Sequence, residues 1–286
     1  MDQTTPVLTQ YSGVCNARRK RSGKIKIGVH SKSNSAVKIL ITVLLGLTVY
    51  AFISFDYKEI VLGEAIAATL RNVKTVFLEP KLSTDTFKNV MYQLFLTFCL
   101  GTLSTIFGAI AAFFCSLLCA KNTAPSGVAN AVKCVIALIR AVPTVLWVLI
   151  FAVSAGLGSV AAVIGLTFHS FAYLTKVYAE SIEEIDDGTI EALRASGAGF
   201  WQIVFQAIVP ASLSRMVAWT FMRFEINFTN AIAVGAAAGA GGIGFNLYMA
   251  GSFYFNLHEM GILTYIVVIA VVMLEMFSTK IKERVK

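Results

Sequence analysis

Long apolar stretches separated by short polar ones dominate the pattern of this chain. Six apolar stretches stand out, at residues 36–55, 90–119, 134–156, 159–178, 216–238 and 261–278. Lys38 is the only charged residue of the first, and a helix of about 20 apolar residues crosses the hydrocarbon core of a bilayer. The second is long enough to tilt or to extend beyond the bilayer. The pattern predicts an all-α, polytopic membrane protein with about six transmembrane helices.

Composition supports this fold class. Of the 286 residues, 57% are hydrophobic and 14% are charged, whereas soluble domains are about 45–50% apolar and about 25% charged. Cys115 and Cys119 are spaced as a metal-binding pair on a helix would be, but no histidine or acidic residue joins them. We therefore interpret them as small buried thiols and expect no metal site, no cofactor and no disulfide framework.

Basic residues predict the orientation of the spans. The segment 1–35 is polar and basic, and its run Arg18–Arg21 precedes the first span. Such a run can bind nucleic acid, but beside a span it fixes the cytoplasmic side, so we expect no nucleic-acid partner. We predict a cytoplasmic segment 1–35, a transmembrane domain at 36–286 and an external, charge-balanced segment at 56–89. The C-terminal tail is also basic, which places both termini in the cytoplasm of a multi-pass protein of the cell membrane.

The segment 179–215 is acidic where the orientation predicts a cytoplasmic loop. Connections between helices usually have about 2–8 residues, so this segment is too long to be a simple connector. Ile190, Leu193 and Gly197 share one face at helical spacing, which predicts a short amphipathic helix. Pro210 favours the start of the next helix. The segment is either an interfacial helix pair without a partner or a docking surface.

A known motif favours the docking surface. Glu191-Ala192-Leu193, three further residues, Gly197 and then Val209-Pro210 resemble the cytoplasmic "EAA" loop of ABC importer permeases. Leu193, Ala207 and Val209 depart from that pattern by apolar substitutions. The resemblance implies that this helix seats in a groove of an ATPase subunit. The implied coupling residues are Glu191, Ala192, Arg194, Gly197, Ala198 and Pro210.

Further motifs narrow the resemblance to phosphonate permeases. The stretches Arg223–Asn227 and Gly239–Gly244 are similar to that family's signature, as are Arg194–Ala198, Gly156–Gly158 and His169. The resemblance runs from about Arg140 to the C-terminus. Ala236–Ala238 replaces a Leu-Val-Gly-type run, a departure that bears on the choice of substrate.

The resemblance implies a type I ABC importer permease fold and a set of partners. These are two ATPase subunits, a second permease copy, an extracytoplasmic substrate-binding protein, membrane lipid and a phosphonate-like oxyanion such as phosphonate, phosphite or phosphate. The chain lacks the phosphate-binding motif Gly-x-x-x-x-Gly-Lys-[Ser/Thr]. Gly239, Gly241 and Gly244 match G-x-G-x-x-G, but a membrane helix rather than a strand precedes them. We therefore expect a transport subunit that is not itself an enzyme, with ATP hydrolysis in a partner. For the glycine run we expect close helix packing or a bend.

Ionisable residues inside predicted spans are candidates for the substrate pathway. Arg223, Asn227 and Asn230 share one helix face, whereas Glu225 points elsewhere and cannot pair with Arg223. An oxyanion that passes such a stripe would meet charge-assisted hydrogen bonds. The alternative is structural, with Arg223 reaching the interface or pairing with a carboxylate on another helix.

Two further residues belong to the predicted pathway. His169 is either a buried histidine with satisfied hydrogen bonds or a contact for the substrate. Arg140 lies close to Pro143, and together they suggest a kinked third span whose role is open.

Three rival functions remain compatible with the sequence. The chain could be an ABC permease for another small solute, an ion-driven secondary transporter or channel, or a membrane enzyme. A secondary transporter would call for inverted repeats or broken midplane helices. A membrane enzyme would need a metal cluster or a nucleophile–base set, and neither is visible.

Overall fold

A computed structural model describes residues 16–19, 25–28, 32–54 and 61–285. Contacts divide the chain into two compact units, Met1–Ala65 and Ile66–Lys286. Most of the predicted basic segment 1–35 lies outside the described residues. The predicted division into segments 1–35 and 36–286 stays a prediction.

The first unit contains a short hairpin and one apolar helix. Strands β1 (Asn16–Arg19) and β2 (Ile25–Gly28) pair antiparallel, with Asn16 opposite Gly28. Helix α1 (Lys32–Ser54) is long and apolar enough from Ser35 to Ser54 to cross a membrane. Its side chains are exposed from Ser35 onward, as the first predicted span requires.

The rest of the described chain is helical. The helices are α2 (Leu62–Leu78), α3 (Phe87–Cys119), α4 (Ser126–Ala141), α5 (Thr144–Ala155), α6 (Ser159–Glu183), α7 (Asp187–Ala195), α8 (Phe200–Ile203), α9 (Val209–Ala238), α10 (Gly242–Tyr248) and α11 (Leu257–Val285). A π-helical turn, Val204–Ile208, joins α8 to α9, and a second, Met249–Phe253, follows α10. The all-α fold class is confirmed.

The spans agree with the predicted apolar stretches. Within the described residues, five helical segments are long and apolar enough to cross a membrane, and α4 with α5 adds a sixth if this bent pair is one span. The pair is bent by 89° beside Pro143. Val142 has extended backbone angles (φ −88°, ψ 126°), because proline disfavours the helical conformation of the residue before it. The predicted kink is confirmed.

The segment predicted as a loop at 179–215 is much shorter in the structure. Helix α6 extends to Glu183, and Phe200–Ala238 forms one continuous helix of 39 residues. Helix α9 begins at Val209, so Pro210 lies in its first turn as expected, but α9 continues from α8 without a break. Pro210 follows a π turn in which Val209 N bonds to Val204 O, and this wider turn accommodates a residue without an N–H. Only residues 184–199 connect the two spans.

Small residues on α3 let the core helices approach closely. Helix α3 packs against both α6 and α9. A Cβ added to Gly101 would lie 3.1 Å from Phe228 N, and one added to Gly108 would lie 2.8 Å from the Cβ of Ser170. Close packing of this kind stabilises helices in lipid, where apolar burial drives little association. It also brings polar groups of α3, α6 and α9 within hydrogen-bonding distance.

The glycine run after α9 reverses the chain into α10. Gly239 ends α9 in the left-handed conformation, with φ at 59°. The first amides of α10 then donate to α3, from Gly242 N to Gln93 Oε1 (3.1 Å) and from Ile243 N to Thr97 Oγ1 (3.0 Å). The run makes a bend and a close helix contact, as predicted.

Hydrogen bonds define two ends of the bundle in the second unit. At the α7 end, Lys121 N donates to Glu183 Oε1 (2.9 Å), which joins the α3–α4 connection to the end of α6. At the α10 end, Ser159 Oγ donates to Ala240 O (2.8 Å), and Asp85 N donates to Glu259 Oε1 (2.7 Å). Residues 120–125 and 156–159 thus lie at opposite ends, so α4 and α5 together carry the chain across once.

Candidate functional site

Helix α7 carries the predicted coupling residues. It buries Ile190 in a core cluster of α3, α6 and α9 residues, while Glu191, Ala192 and Arg194 are exposed. Ile190 therefore anchors the helix, Leu193 and Ala198 pack partly against the same cluster, and the other three face outward. A concave surface of about 900 Å³ lies beside it, bounded in part by Ala192 and Pro210.

Gly197 and Ala198 end α7 with a specific backbone arrangement. Gly197 has φ at +81°, a conformation that L side chains rarely adopt. Gly197 N bonds to Arg194 O (3.0 Å) and Ala198 N bonds to Leu193 O (3.0 Å). These two bonds are the Schellman motif, which satisfies carbonyls that a helix end leaves free. The glycine of the predicted motif is therefore the residue that stops α7.

A polar network ties α7 to the rest of its end of the bundle. Arg194 Nη2 donates to the carbonyl of Asn122 (3.2 Å), and Asn122 Nδ2 donates to Ile182 O (2.8 Å). Lys133 forms an ion pair with Glu183 at 2.7 Å. These contacts join α7 to the α3–α4 connection and, through it, to α6.

A second candidate site surrounds Arg223 inside the bundle. Arg223 is only 2% exposed. Its Nε donates to Ser170 Oγ (3.0 Å), and its Nη2 bonds to His169 Nδ1 (2.9 Å). Since a guanidinium only donates, Nδ1 of His169 is the acceptor and the imidazole is the neutral Nε2–H tautomer.

Asn227 extends this network to α3. Its Nδ2 donates to Thr105 Oγ1 (2.8 Å) and to Ser170 Oγ (2.7 Å). Ser170 Oγ donates in turn to Leu166 O (2.6 Å), so the hydroxyl uses its one donor and both acceptor sites. This buried network joins α3, α6 and α9 around Arg223.

Arg140 and Arg223 share one aromatic ring. The guanidinium carbon of Arg223 lies 5.2 Å from the ring centroid of Tyr173, and that of Arg140 lies 5.8 Å from it. A ring face attracts a cation at these distances. None of the five ion pairs among the described residues includes Arg140 or Arg223. Two cations therefore meet inside the bundle without a carboxylate partner.

The structure gathers four of the six predicted pathway residues and separates the other two. Arg140, His169, Arg223 and Asn227 lie in this cluster. Glu225 instead forms an ion pair with Lys282 of α11 at 2.9 Å. Asn230 is half-buried and makes no side-chain hydrogen bond within the part of the chain that the structure describes. An ion pair between Arg223 and a carboxylate, one form of the structural alternative, is not found among the described residues.

Sequence reasoning missed three members of the cluster. Thr105, Ser170 and Tyr173 complete it, and Tyr173 contacts both arginines. A signal was available, because His169 and Tyr173 are four residues apart and thus share a face of α6. Thr105 gave no comparable signal, since threonine is common in transmembrane helices.

Residues 112–281 match the family described as the binding-protein-dependent transport system inner membrane component. The matched range includes α7 and every residue of the cluster around Arg223 except Thr105. The chain belongs to this family. It is accordingly a multi-pass membrane protein of a family of transport subunits.

Two curated relatives carry names that bear on the substrate. The phosphate-import permease protein PhnE of Mycolicibacterium smegmatis is 36% identical over 152 residues, which are 53% of this chain and 28% of that protein. The phosphite transport system permease protein PtxC of Stutzerimonas stutzeri is 29% identical over 185 residues, 64% of this chain and 65% of that protein. The chain therefore matches between about a quarter and two thirds of the length of these relatives.

A solved structure supports the fold. A chain of the inward-facing MetNI methionine ABC transporter superposes with a TM-score of 0.63 at 24% identity, covering 72% of this chain and all of that one. The predicted type I importer permease fold is confirmed.

Proposed function

We propose that this chain is the permease subunit of an ABC importer that moves a phosphorus oxyanion, such as phosphonate, phosphite or phosphate, into the cell. The observation that carries the proposal is the pair Arg140 and Arg223, which share the Tyr173 ring and form no ion pair with a carboxylate among the described residues. The names of the two relatives, a phosphate-import permease and a phosphite transport permease, point to the same chemistry.

The donors of the two arginines fit an oxyanion. A guanidinium has five N–H donors in a planar fork that matches oxyanions bidentately. Arg223 uses one donor on Ser170 and one on His169, so three remain without an acceptor among the described residues. Arg140 makes no hydrogen bond there. A buried cation is costly unless something compensates its charge, and a transient anionic substrate supplies both the charge and the acceptors.

The same geometry argues against a zwitterionic substrate. An amino acid such as methionine, which the MetNI transporter carries by its name, has an ammonium group that needs an acceptor. Glu225 is the nearest carboxylate to Arg223 along α9, and it is occupied by Lys282. Glu180 and Glu183, which line a cavity with Arg140, are likewise paired, with Lys176 and Lys133. Among the described residues the site thus offers donors to an anion, and the carboxylates near it already have cationic partners.

Coupling to ATP hydrolysis is assigned to α7. We propose that Glu191, Ala192 and Arg194 form the exposed contact with an ATPase subunit, that Gly197 and Ala198 fix the end of the helix, and that Pro210 borders the contact. The working assembly contains two permease copies, two ATPase subunits and an extracytoplasmic binding protein, which is consistent with the family description. The α7 end of the bundle and both termini face the cytoplasm.

Uptake by the reconstituted complex tests the proposal. The chain, its ATPase subunit and its binding protein are placed in liposomes, and ATP-dependent uptake of labelled phosphite is measured with phosphonate, phosphate or methionine as competitor. We expect competition by phosphorus oxyanions and none by methionine. Arg140→Gln should raise the KM for the oxyanion, because it removes one of the two charges from the site. Uptake of methionine, or an unchanged KM in Arg140→Gln, would contradict the oxyanion assignment.

A further inference from the structure

Helix α2 presents an apolar stripe that no described residue of its own unit covers. From Ile66 onward, Ile66, Leu70, Val73 and Phe77 recur at spacings of four, three and four residues and are about half exposed or more. At 3.6 residues per turn they fall within about 60° of the helix circumference. Arg71 lies on the far side, about 160° from Val73. The helix is therefore amphipathic, with a continuous stripe of large side chains on one face.

The stripe is distinct from the face that α2 packs against the bundle. Val76, about 60° from Val73 and about 100° from Phe77 around the helix, is the buried residue of the helix. The backbone of Val76 lies so close to Gly261 of α11 that a Cβ at Gly261 would overlap the Val76 carbonyl. Burial of Val76 fixes the rotation of α2, and at that rotation the side chains of the stripe stay about half exposed or more.

The C-terminal end of α2 is fastened to the first turns of a membrane span. Tyr265 Oη donates to Phe77 O (2.7 Å), and Lys81 N donates to His258 O (3.1 Å). Glu79 O bonds to Nδ1 of His258 at 2.6 Å. Helix α11 begins at Leu257, so these contacts hold α2 within about two turns of the point where α11 starts.

The stripe continues into the lipid-facing surface of α11. The Phe77 ring meets the Tyr265 ring edge to face, with 6.3 Å between centroids. Below Tyr265, the exposed apolar face of α11 follows with Val268, Ile269, Val272 and Met273. Tyr and Trp side chains are enriched at the depth of the membrane interface. Because the stripe meets α11 at Tyr265, in the first turns of that span, we place the stripe at the same depth.

From this continuity we infer that α2 is an interfacial helix whose stripe of Ile66, Leu70, Val73 and Phe77 lies in the lipid of the leaflet at the α10 end. An amphipathic helix of this kind buries its apolar face about 5–10 Å into the boundary between headgroups and acyl chains. Arg71 then faces the water above the headgroups. The partner of this surface is the bilayer and not another protein.

The anchored helix also holds the α10 end together. The segment that follows α2 donates from Thr84 N and Asp85 N to the buried Glu259 of α11 (3.1 and 2.7 Å). Asp85 accepts in turn from Asn246 of α10 (2.6 Å). A lipid-bound α2 therefore fixes the depth of the connection through which α3, α10 and α11 are joined.

Photo-crosslinking distinguishes lipid from protein as the partner. The photoreactive residue p-benzoylphenylalanine is placed at Val73 in the full chain, with Arg71 as the matched control, and each variant is irradiated in phospholipid vesicles. We expect a mass increase of one phospholipid at position 73 and none at position 71. A cross-link from position 73 to a second copy or to another segment of the chain would overturn the inference.

An environment-sensitive fluorophore gives an independent measurement. Val73→Cys and Arg71→Cys are labelled in a chain whose native cysteines are replaced, and both are reconstituted in the same vesicles. We expect a blue-shifted emission at position 73, quenched by brominated acyl chains, and quenching at position 71 by aqueous iodide. Iodide quenching of equal strength at both positions, or protection of position 73 from both quenchers, would contradict a lipid-facing stripe.

Discussion

At the scale of single residues, the burial of the Arg223 charge is the feature that most needs an energetic explanation. Removing a cation from water costs several kcal/mol even after relaxation, and Arg223 has no carboxylate to offset this. Its contacts with Ser170 and His169 are to neutral groups, and hydrogen bonds to charged groups each stabilise by about 1.5–3 kcal/mol. These opposing contributions are of the same order. Stability alone therefore gives no reason for arginine at this position.

Arg223→Met separates a role in transport from a role in folding. Methionine fills a similar volume without a charge, so the cost of burial disappears together with the two hydrogen bonds. We expect thermal unfolding of the purified permease within a few degrees of the parent chain. We also expect a loss of oxyanion affinity of about 10–100-fold, because a lost charge-assisted bond costs about 1.5–3 kcal/mol. Thermal unfolding and uptake by the reconstituted complex are the two measurements.

Arg223→Lys is the matched control. Lysine keeps the charge but lacks the planar fork, so uptake should be intermediate between those of the parent and the methionine variant. If Arg223→Met does not accumulate in the membrane while the lysine variant does, Arg223 is structural. If the methionine variant takes up substrate normally, Arg223 has no part in the pathway.

Spacing along the sequence predicted the cluster only in part. The i, i+4 relation of Arg223 and Asn227 holds in the structure, because both lie on one α9 face. Asn230, one turn further, has no partner in the cluster among the described residues, and Glu225 pairs with a residue 57 positions away. Periodicity shows which residues share a face, but not which neighbouring helix that face meets. Tyr173 belongs to the site only because α4 and α9 both pack on α6.

At the scale of elements, Gly197 determines where α7 ends. A Cβ at this position would meet nothing within 4 Å, so only the backbone conformation resists substitution. Gly197→Val should cost about 1–2 kcal/mol locally and unwind the end of α7, leaving membrane insertion intact. We expect ATP hydrolysis by the assembled complex to become uncoupled from uptake, measured as the ratio of phosphate released to substrate transported.

Gly197→Asn is the control for this position. Asparagine tolerates the left-handed conformation and is found at helix ends of this type. It should therefore preserve most of the coupling despite its larger side chain. Equal coupling in the valine variant and the parent chain would argue against α7 as the contact with the ATPase.

The close contact of α9 with α10 predicts that a side chain added at Gly244 lowers the stability of the fold. A Cβ on Gly244 would overlap the carbonyl of Ile232, so Gly244→Ala must push α10 away from α9. Overpacking of this kind costs about 1–3 kcal/mol. We expect a lower midpoint of thermal unfolding. Gly127→Ala of α4, where a Cβ meets nothing within 4 Å, is the control and should leave the midpoint unchanged or higher.

The Glu225–Lys282 ion pair should stabilise the contact between α9 and α11. Its side chains are partly exposed, so the coupling energy should be at most about 1 kcal/mol. We expect Glu225→Gln to lower stability slightly with an unchanged KM for substrate. The reciprocal exchange, Glu225→Lys with Lys282→Glu, should restore stability in a double-mutant cycle. An increase in KM for Glu225→Gln alone would return Glu225 to the substrate pathway.

At the scale of the whole molecule, apolar length predicted the spans and not the helix ends. Six apolar stretches correspond to the five long helices and the bent α4–α5 pair. The helix Phe200–Ala238 begins 16 residues before the stretch predicted at 216–238. Its first turns are amphipathic and lie against the bundle at the α7 end, so hydropathy does not mark them. The π turn before Pro210 was beyond prediction, because it depends on how one helix accommodates a missing N–H.

The hydrogen bonds at the two ends make the topology testable as a whole. They place residues 120–125 and 183–199 at one end and residues 79–86 and 239–260 at the other, so one labelled position at each end determines the orientation of the second unit. Basic residues favour the cytoplasm for the α7 end, where Lys121 and Lys133 lie. Arg71→Cys and Thr189→Cys are both exposed and lie at opposite ends.

We therefore expect a membrane-impermeant maleimide to label Arg71→Cys in intact cells and Thr189→Cys only after the membrane is opened. Each variant is made in a chain whose native cysteines are replaced, which serves as the unlabelled control. Labelling of Thr189→Cys in intact cells would place α7 outside. An external α7 cannot reach a cytoplasmic ATPase, so this result would remove the coupling role of Glu191–Ala198 while leaving the fold and the Arg223 cluster unaffected. Labelling of both positions from the same side would instead contradict the separation of the two ends, and with it the single crossing made by α4 and α5.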